Sequence, residues 1–208
     1  MLKDLISDDT LQIETGRLRL RWPRASDAAA ITKFASLAEV ANMTAMIPHP
    51  YPVGAAEAFI MKARSENAEG CGLTLAILQK ARAQSFVGVV GARLEATGIA
   101  ELGYALSPAF WGKGLATEAA RAFVGAVFRL TSCVSIRARV RVDNASSRRV
   151  LEKIGFAFVD RGFDFLPARG SNFLCDHLEL ARGRWLSPWK SGEKHLPPMS
   201  GQRTAERS

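Results

Sequence analysis

The sequence predicts a mixed α/β fold: a mostly antiparallel central sheet of about seven strands, one pair of them parallel, flanked by about four helices. Three observations carry this. The stretch Glu101–Phe128, ELGYALSPAFWGKGLATEAARAFVGAVF, reads as strand, glycine loop and helix in succession. Short apolar runs on both sides of it are bounded by Pro, Gly and polar clusters, as strands are. The run after the helix, Val134–Val142, must then return parallel to the strand before it, because a helical crossover joins the two.

Taken in order, RLRLRW at 17–22 alternates strictly and reads as a first strand with Leu18, Leu20 and Trp22 facing inward, closed by Pro23. Ser26 or Asp27 can cap a helix from Ala28 to about Ser36. The proline-rich Ile47–Pro52 can be neither helix nor central strand, because its prolines withhold donors. A second helix runs roughly from Ala55 to Glu66. Gly72–Leu78 and Phe86–Leu94 form a hairpin across the turn-like KARAQS, and with Ile99–Leu106 they make an antiparallel meander. Pro108 ends that last strand. From Leu115 onward Ala116, Ala119, Ala120, Phe123, Val124, Val127 and Phe128 recur at helical spacing.

In VSIRARVRV the apolar residues face one way and Arg137, Arg139 and Arg141 the other, either solvated or lining an electropositive groove. Asn144 caps the next helix, whose apolar stripe is Val150, Leu151 and Ile154 and which Gly155 stops. Phe156–Phe165 and Phe173–Ala181 are closing strands. The expected organisation is an extension at 1–12, one domain at 13–186 and a disordered tail at 187–208, where Pro, Gly, Ser and charges lack periodicity.

Trp111-Gly112-Lys113-Gly114 is the chemically informative loop. Its glycines permit positive φ and leave backbone N–H groups uncovered just where a helix opens. Unpaired N–H groups and the positive end of the helix dipole make an anion cradle, suited to a phosphate or pyrophosphate. The spacing excludes a nucleoside-triphosphate loop: Gly112-Lys113 is followed by Gly114, and the position five before Gly112 is Ser107. A dinucleotide fingerprint fails as well, since Thr117 stands where its third glycine belongs.

What the stretch resembles is the pyrophosphate loop of the GNAT acyl-CoA N-acyltransferases, Gln/Arg-x-x-Gly-x-Gly/Ala. Trp111-x-x-Gly114-x-Ala116 fits it except at the first position. Tryptophan there, then GKGLATEA, is similar to the branch that acetylates N-termini of ribosomal proteins, as is Glu14-Thr15-Gly16-Arg17-Leu18-Arg19-Leu20-Arg21. Asn144-x-x-Ser147 followed by VLEKIGF resembles the family's later motif, where the Asn contacts the pantetheine arm. The resemblance covers residues 14 to about 186. It implies the GNAT fold and direct acetyl transfer from acetyl-CoA to a primary amine. The residues it places on the cofactor are Leu106, Ser107, Trp111, Gly112, Lys113, Gly114, Leu115, Ala116, Thr117 and Asn144. It further implies Glu101 as base, with Asp176, His177 and Glu179 in reserve. Ser147 is the acid, because Leu151 replaces the family's usual tyrosine. A backbone N–H near Leu106 is the oxyanion donor, and the Pro-rich loop brings Tyr51 to the acceptor side. Packing or capping alone also accounts for Glu101, Asn144, Ser147 and Tyr51.

Composition narrows the setting. A chain of 208 residues that is 48% hydrophobic and 23% charged suffices for one full core. Cys71, Cys133 and Cys175 are odd in number and far apart, and His49, His177 and His195 show no ligand spacing, which argues against disulfides and metal. MLKDLISDD has no apolar leader, and no stretch reaches membrane-spanning length, so a cytoplasmic protein without a membrane partner is expected. The net charge of +8 comes without a K/R-rich 5–8-mer, which argues against nucleic acid. A monomer or homodimer is expected. The favoured acceptor is a protein N-terminal α-amine, with a ribosomal protein as the analogy. A small-molecule amine and a CoA-binding regulatory domain without catalysis are the alternatives.

Overall fold

In the computed structural model, residues 11–80 and 85–186 are described. One eight-stranded sheet runs β1(Gln12–Glu14), β2(Leu18–Arg21), β3(Gly72–Gln79), β4(Phe86–Leu94), β5(Ile99–Leu106), β6(Ser135–Arg141), then β8(Ser171–Ala181) and, at the edge, β7(Ala157–Leu166). The eighth strand, beyond the seven expected, is β1. Three residues are too few to show an alternation, and the pairing with β2 makes it a strand. Among the described residues six α-helices stand where four are predicted: α1(Ala28–Ala35), α2(Ala38–Ala41), α3(Ala55–Glu69), α4(Leu115–Leu130), α5(Ala145–Lys153) and α6(Arg182–Leu186). The additions are α2 and α6, each hardly a turn long, which no periodicity could announce. The β3–β4–β5 meander is antiparallel as expected. Most of its first turn, and the 187–208 tail, lie outside the described residues.

Among the described residues only β5 and β6 run parallel, and they pair over three rungs: Ile99 with Ser135, Ala100 with Ile136 and Glu101 with Arg137. Beyond Glu101 the two strands part. The α4 crossover enforces the parallel direction.

The sheet's two faces differ. Ala100, Leu102 and Leu106 of β5 and Ile136, Ala138 and Val140 of β6 join the main core with α4, whose Phe123 and Val124 are fully buried. A smaller core on the opposite face packs Ile31, Phe34 and Ile60 of α1 and α3 against Phe86, Val89 and Ala105. Tyr51 belongs to this second core, as an aromatic that secures the proline-rich loop. Val134 and Val142, read as inward, are exposed, because the strand ends before reaching either. Asp27 stands at the N-cap position of α1, as one of the two expected residues, but its side chain makes no cap hydrogen bond there. Asp27 is buried and bound by both Nη atoms of Arg21, at 2.8 and 2.9 Å, while Arg24 N donates to it at 2.8 Å.

Candidate active site

The loop between β5 and α4 has the backbone of a cradle. Gly112 and Gly114 both sit at φ +72°, and Gly114 is the residue before the first turn of α4. A Cβ on Gly112 would meet open space, so conformation rather than crowding demands glycine there. The N–H groups of Leu115, Ala116 and Thr117, in that first turn, have no intrahelical acceptor. Trp111 folds back, its Nε1 donating to the Leu106 carbonyl at 2.7 Å, which ties the loop to the end of β5. Lys113 Nζ donates to Ala109 O at 2.6 Å and stands over the Phe110 ring. Two αL glycines, a helix N-terminus and the Lys113 ammonium in one place fit the pyrophosphate of a coenzyme A molecule.

The parting of β5 from β6 supplies the rest. Ser107 N donates to Val87 O at 2.9 Å, so the N–H of Ser107 is spent on β4. By the alternation of the ladder, Leu102, Tyr104 and Leu106 turn their N–H and C=O groups the other way, toward the gap. The Leu106 carbonyl is taken by Trp111. Its N–H faces the space that an extended acyl-pantetheine arm would pair with.

Across the gap stands the start of α5. Asn144 Oδ1 accepts from Ser147 N at 3.1 Å and so performs the capping expected of it. The Ser147 hydroxyl lies 2.8 Å from the Tyr104 hydroxyl, which also reaches Ser147 O at 3.1 Å. Sequence reading did not single out Tyr104. Its parity with Leu102 and Leu106 placed it inward, and a buried phenol needs a partner; those were the signals available. Burial pushes the Tyr104 hydroxyl up to about 12 against the opposing hydrogen bond from Ser147, so it stays protonated.

Glu101 is on the other face of the sheet. It accepts from Arg139 Nε at 2.7 Å and from Nη2 at 2.5 Å, a partner the sequence could not show. Arg139 in turn reaches Asp164 at 3.5 Å. Asp164 and Asp160 hold the two ring nitrogens of His177, at 2.7 and 2.6 Å. Arg137 pairs with Glu179 at 3.0 Å, and Arg141 with Asp143. The three arginines are therefore neither free nor an electropositive groove. Arg137 and Arg139, with Glu95 and Val159, border a cavity of about 510 Å³ whose acids are Glu95, Glu101, Asp160 and Glu179. Of the reserve residues, His177 and Glu179 line this cavity. Asp176 points to the α5 side, where it is 2% exposed and held by Arg148 and by Arg161 at 2.6 Å. Among the described residues, no group of three or more His, Cys, Asp or Glu could hold a metal.

A parallel pair that opens beside an anion cradle at a helix N-terminus defines a coenzyme A-dependent acyltransferase. The chain belongs to the acetyltransferase (GNAT) domain family, whose model matches residues 17–157, and acetyl-CoA is the acetyl donor. It is 28% identical over 158 residues to the uncharacterized N-acetyltransferase p20 of Bacillus licheniformis, covering 75% of this chain and 88% of that protein. It is 34% identical over 95 residues to the uncharacterized protein YkkB of Bacillus subtilis (strain 168); the match covers 44% of this chain and spans about half of that relative, 55%. Among solved structures, the ribosomal-protein-S5-alanine acetyltransferase of Vibrio fischeri superposes with a TM-score of 0.72 at 18% identity, over 84% of this chain and 98% of that one. The spermidine N-acetyltransferase of Vibrio cholerae, in complex with CoA and spermine, gives 0.70 at 15% identity, over 83% and 99%. At these identities the likeness is one of fold.

Proposed function

We propose that this enzyme transfers the acetyl group to a primary amine by direct attack in a ternary complex, with a protein N-terminal α-amine as the favoured acceptor. The observation that supports it best is the opening between β5 and β6. It lies between the glycine loop, the Tyr104–Ser147 hydroxyl pair on one face of the sheet, and Glu101 on the other.

In this reading Gly112, Gly114 and the first-turn amides of α4 hold the pyrophosphate, with Trp111, Lys113 and Ser107 shaping the loop around it. Asn144 contacts the pantetheine arm. The bound thioester supplies an acetyl carbonyl, and the Leu106 N–H is aimed where its oxygen would sit. Glu101, paired with Arg139, accepts the amine's proton through water from the open face. Ser147, backed by the protonated Tyr104, delivers a proton to the departing sulfur from the α5 face.

The energetics favour an α-amine. At pH 7, neutralising an amine of pKa about 8 costs about 1.4 kcal/mol, and a lysine near 10.4 costs about 4.6 kcal/mol. A carboxylate already paired with a guanidinium is a modest base, adequate for the first. A second reading rests on the four acids of the cavity, Glu101 among them, which would suit a small polycationic amine. A cytoplasmic setting accords with three cysteines that form no disulfide. The test is a panel of amines, comprising lysine-free peptides with free N-termini, lysine peptides and polyamines, scored by release of coenzyme A thiol. Fastest turnover of the peptides with free N-termini supports the proposal. Preference for polyamines moves the acceptor to the second reading, and no release with any amine leaves a binding domain without catalysis.

A further inference from the structure

The turn between β1 and β2 has no part in the chemistry so far, yet it is bonded to the cradle across about a hundred residues of chain. Thr15 Oγ1 donates to Glu118 Oε1 at 2.5 Å, Arg17 N to the same oxygen at 2.9 Å, and Arg17 Nε to Oε2 at 2.6 Å. Arg17 Nη1 then donates to the Lys113 carbonyl at 2.9 Å. Arg17 Nη2 is the nearest atom, at 3.6 Å, to where a Cβ on Gly114 would be. The guanidinium thus spans the loop and the first turn of α4.

Two consequences follow from this geometry. A trans peptide sets C=O and N–H antiparallel, so fixing the Lys113 carbonyl on Arg17 holds the Gly114 N–H on the opposite side. Glu118 lies in the first turn of α4, the same turn whose N–H groups would receive a phosphate. A free carboxylate there would oppose the anion. Against its burial, the bonds from Thr15 and Arg17 keep Glu118 ionised and below the ordinary carboxylate range, with its charge answered locally.

We propose that Arg17 is a positioning residue of the acetyl-CoA site: it fixes the Lys113–Gly114 peptide and neutralises Glu118, so that the loop meets the pyrophosphate already formed. This rests on the cradle reading given above. Arg17 is half exposed, so its three bonds to Glu118 and Lys113 serve geometry more than stability.

The test uses the full chain, with coenzyme A as the calorimetric probe and melting temperature followed on the same samples. Arg17→Gln is expected to raise the Kd for coenzyme A about tenfold, the loss of one charge-assisted contact. The KM for acetyl-CoA should rise in parallel, while kcat at saturation changes less than twofold. Arg17→Lys, which keeps the charge without the fork, should recover less than half of the loss; it also serves if Arg17→Gln does not fold. Adding Glu118→Gln to Arg17→Gln should bring Kd back toward the parent, since the unanswered carboxylate is gone. Binding by Arg17→Gln equal to the parent overturns the proposal, as does complete rescue by lysine. Failure of the double variant to recover any affinity overturns the neutralising part. A parent protein without affinity for coenzyme A overturns the cradle itself rather than the part of Arg17.

Discussion

The two sides of the β5–β6 opening are built on opposite principles. On the α4 side the groups proposed to bind are backbone N–H groups, displayed by two left-handed glycines and a helix N-terminus. On the open face of β6, β8 and β7 nearly every polar group is a charged side chain, and each has an opposite charge: Arg139 with Glu101 and Asp164, His177 with Asp160 and Asp164, Arg137 with Glu179. A phosphate ligand always presents the same atoms, so a rigid backbone suits it. An acceptor whose amine must lose a proton calls for adjustable charge, and side chains supply that. The first side should therefore fail abruptly under a backbone change and the second gradually, with pH.

The largest effect is expected from Gly114→Pro. Proline cannot take φ +72° and removes an N–H at the mouth of the cradle, so coenzyme A binding should fall at least a hundredfold in calorimetry. Parent-like affinity would show that the backbone of this loop does not carry the ligand. Gly112→Val tests the same side more gently: the added Cβ has room, and only the left-handed backbone is strained.

Next in size is Glu101→Gln. With a lysine-free peptide bearing a free N-terminus, kcat should drop about 10²-fold at pH 7 with coenzyme A affinity intact. The deficit should shrink toward pH 9, where an α-amine of pKa about 8 needs no base. A parent-like rate at pH 7 would transfer the role to the cavity's other groups, His177 or Glu179.

A smaller change is expected at Asn144, where capping and ligand contact can be separated. Asn144→Ala should cost about 1 kcal/mol of stability through its lost bond to Ser147 N, and should weaken coenzyme A binding too. Asn144→Ser should keep the cap and lose the contact. Equal coenzyme A affinity in all three proteins would leave capping as its whole role.

The smallest effect belongs to the open face and is read by pH. Burial lowers the His177 pKa, but the bonds to Asp164 and Asp160 outweigh it and raise it above the ordinary 6.5. A raised folded value means stability that is fully present below pH 6.5 and lost as pH climbs through the folded pKa. Resistance of the parent to chemical denaturant should accordingly fall above pH 6.5, and His177→Gln should flatten that slope. An unchanged slope would mean that the two aspartates do not favour the charged imidazole.

The cradle was legible in the sequence because all its signals are local. Glycines at fixed offsets, Pro108 ending a strand, the helical stripe from Leu115 and the cap at Asn144 each act within one turn or one loop. The same locality made the β5–β6 parallel pairing readable, since only a crossover helix separates the strands. Hydrophobic alternation likewise placed Leu18, Leu20, Ile136 and Ala138 inward.

Only the tertiary structure decided the partners. Arg139 meets Glu101 across the sheet, although 38 residues separate them, and Arg17 meets Glu118 across 101. Charge pairing depends on strand register and on which face each residue takes, and neither leaves a mark on composition. It also decided that Tyr104 and Ser147 lie on the face opposite Glu101, so that the gap between β5 and β6 joins them. Local propensity determined what each segment is; the order β5–β6–β8–β7 determined which side chains could meet.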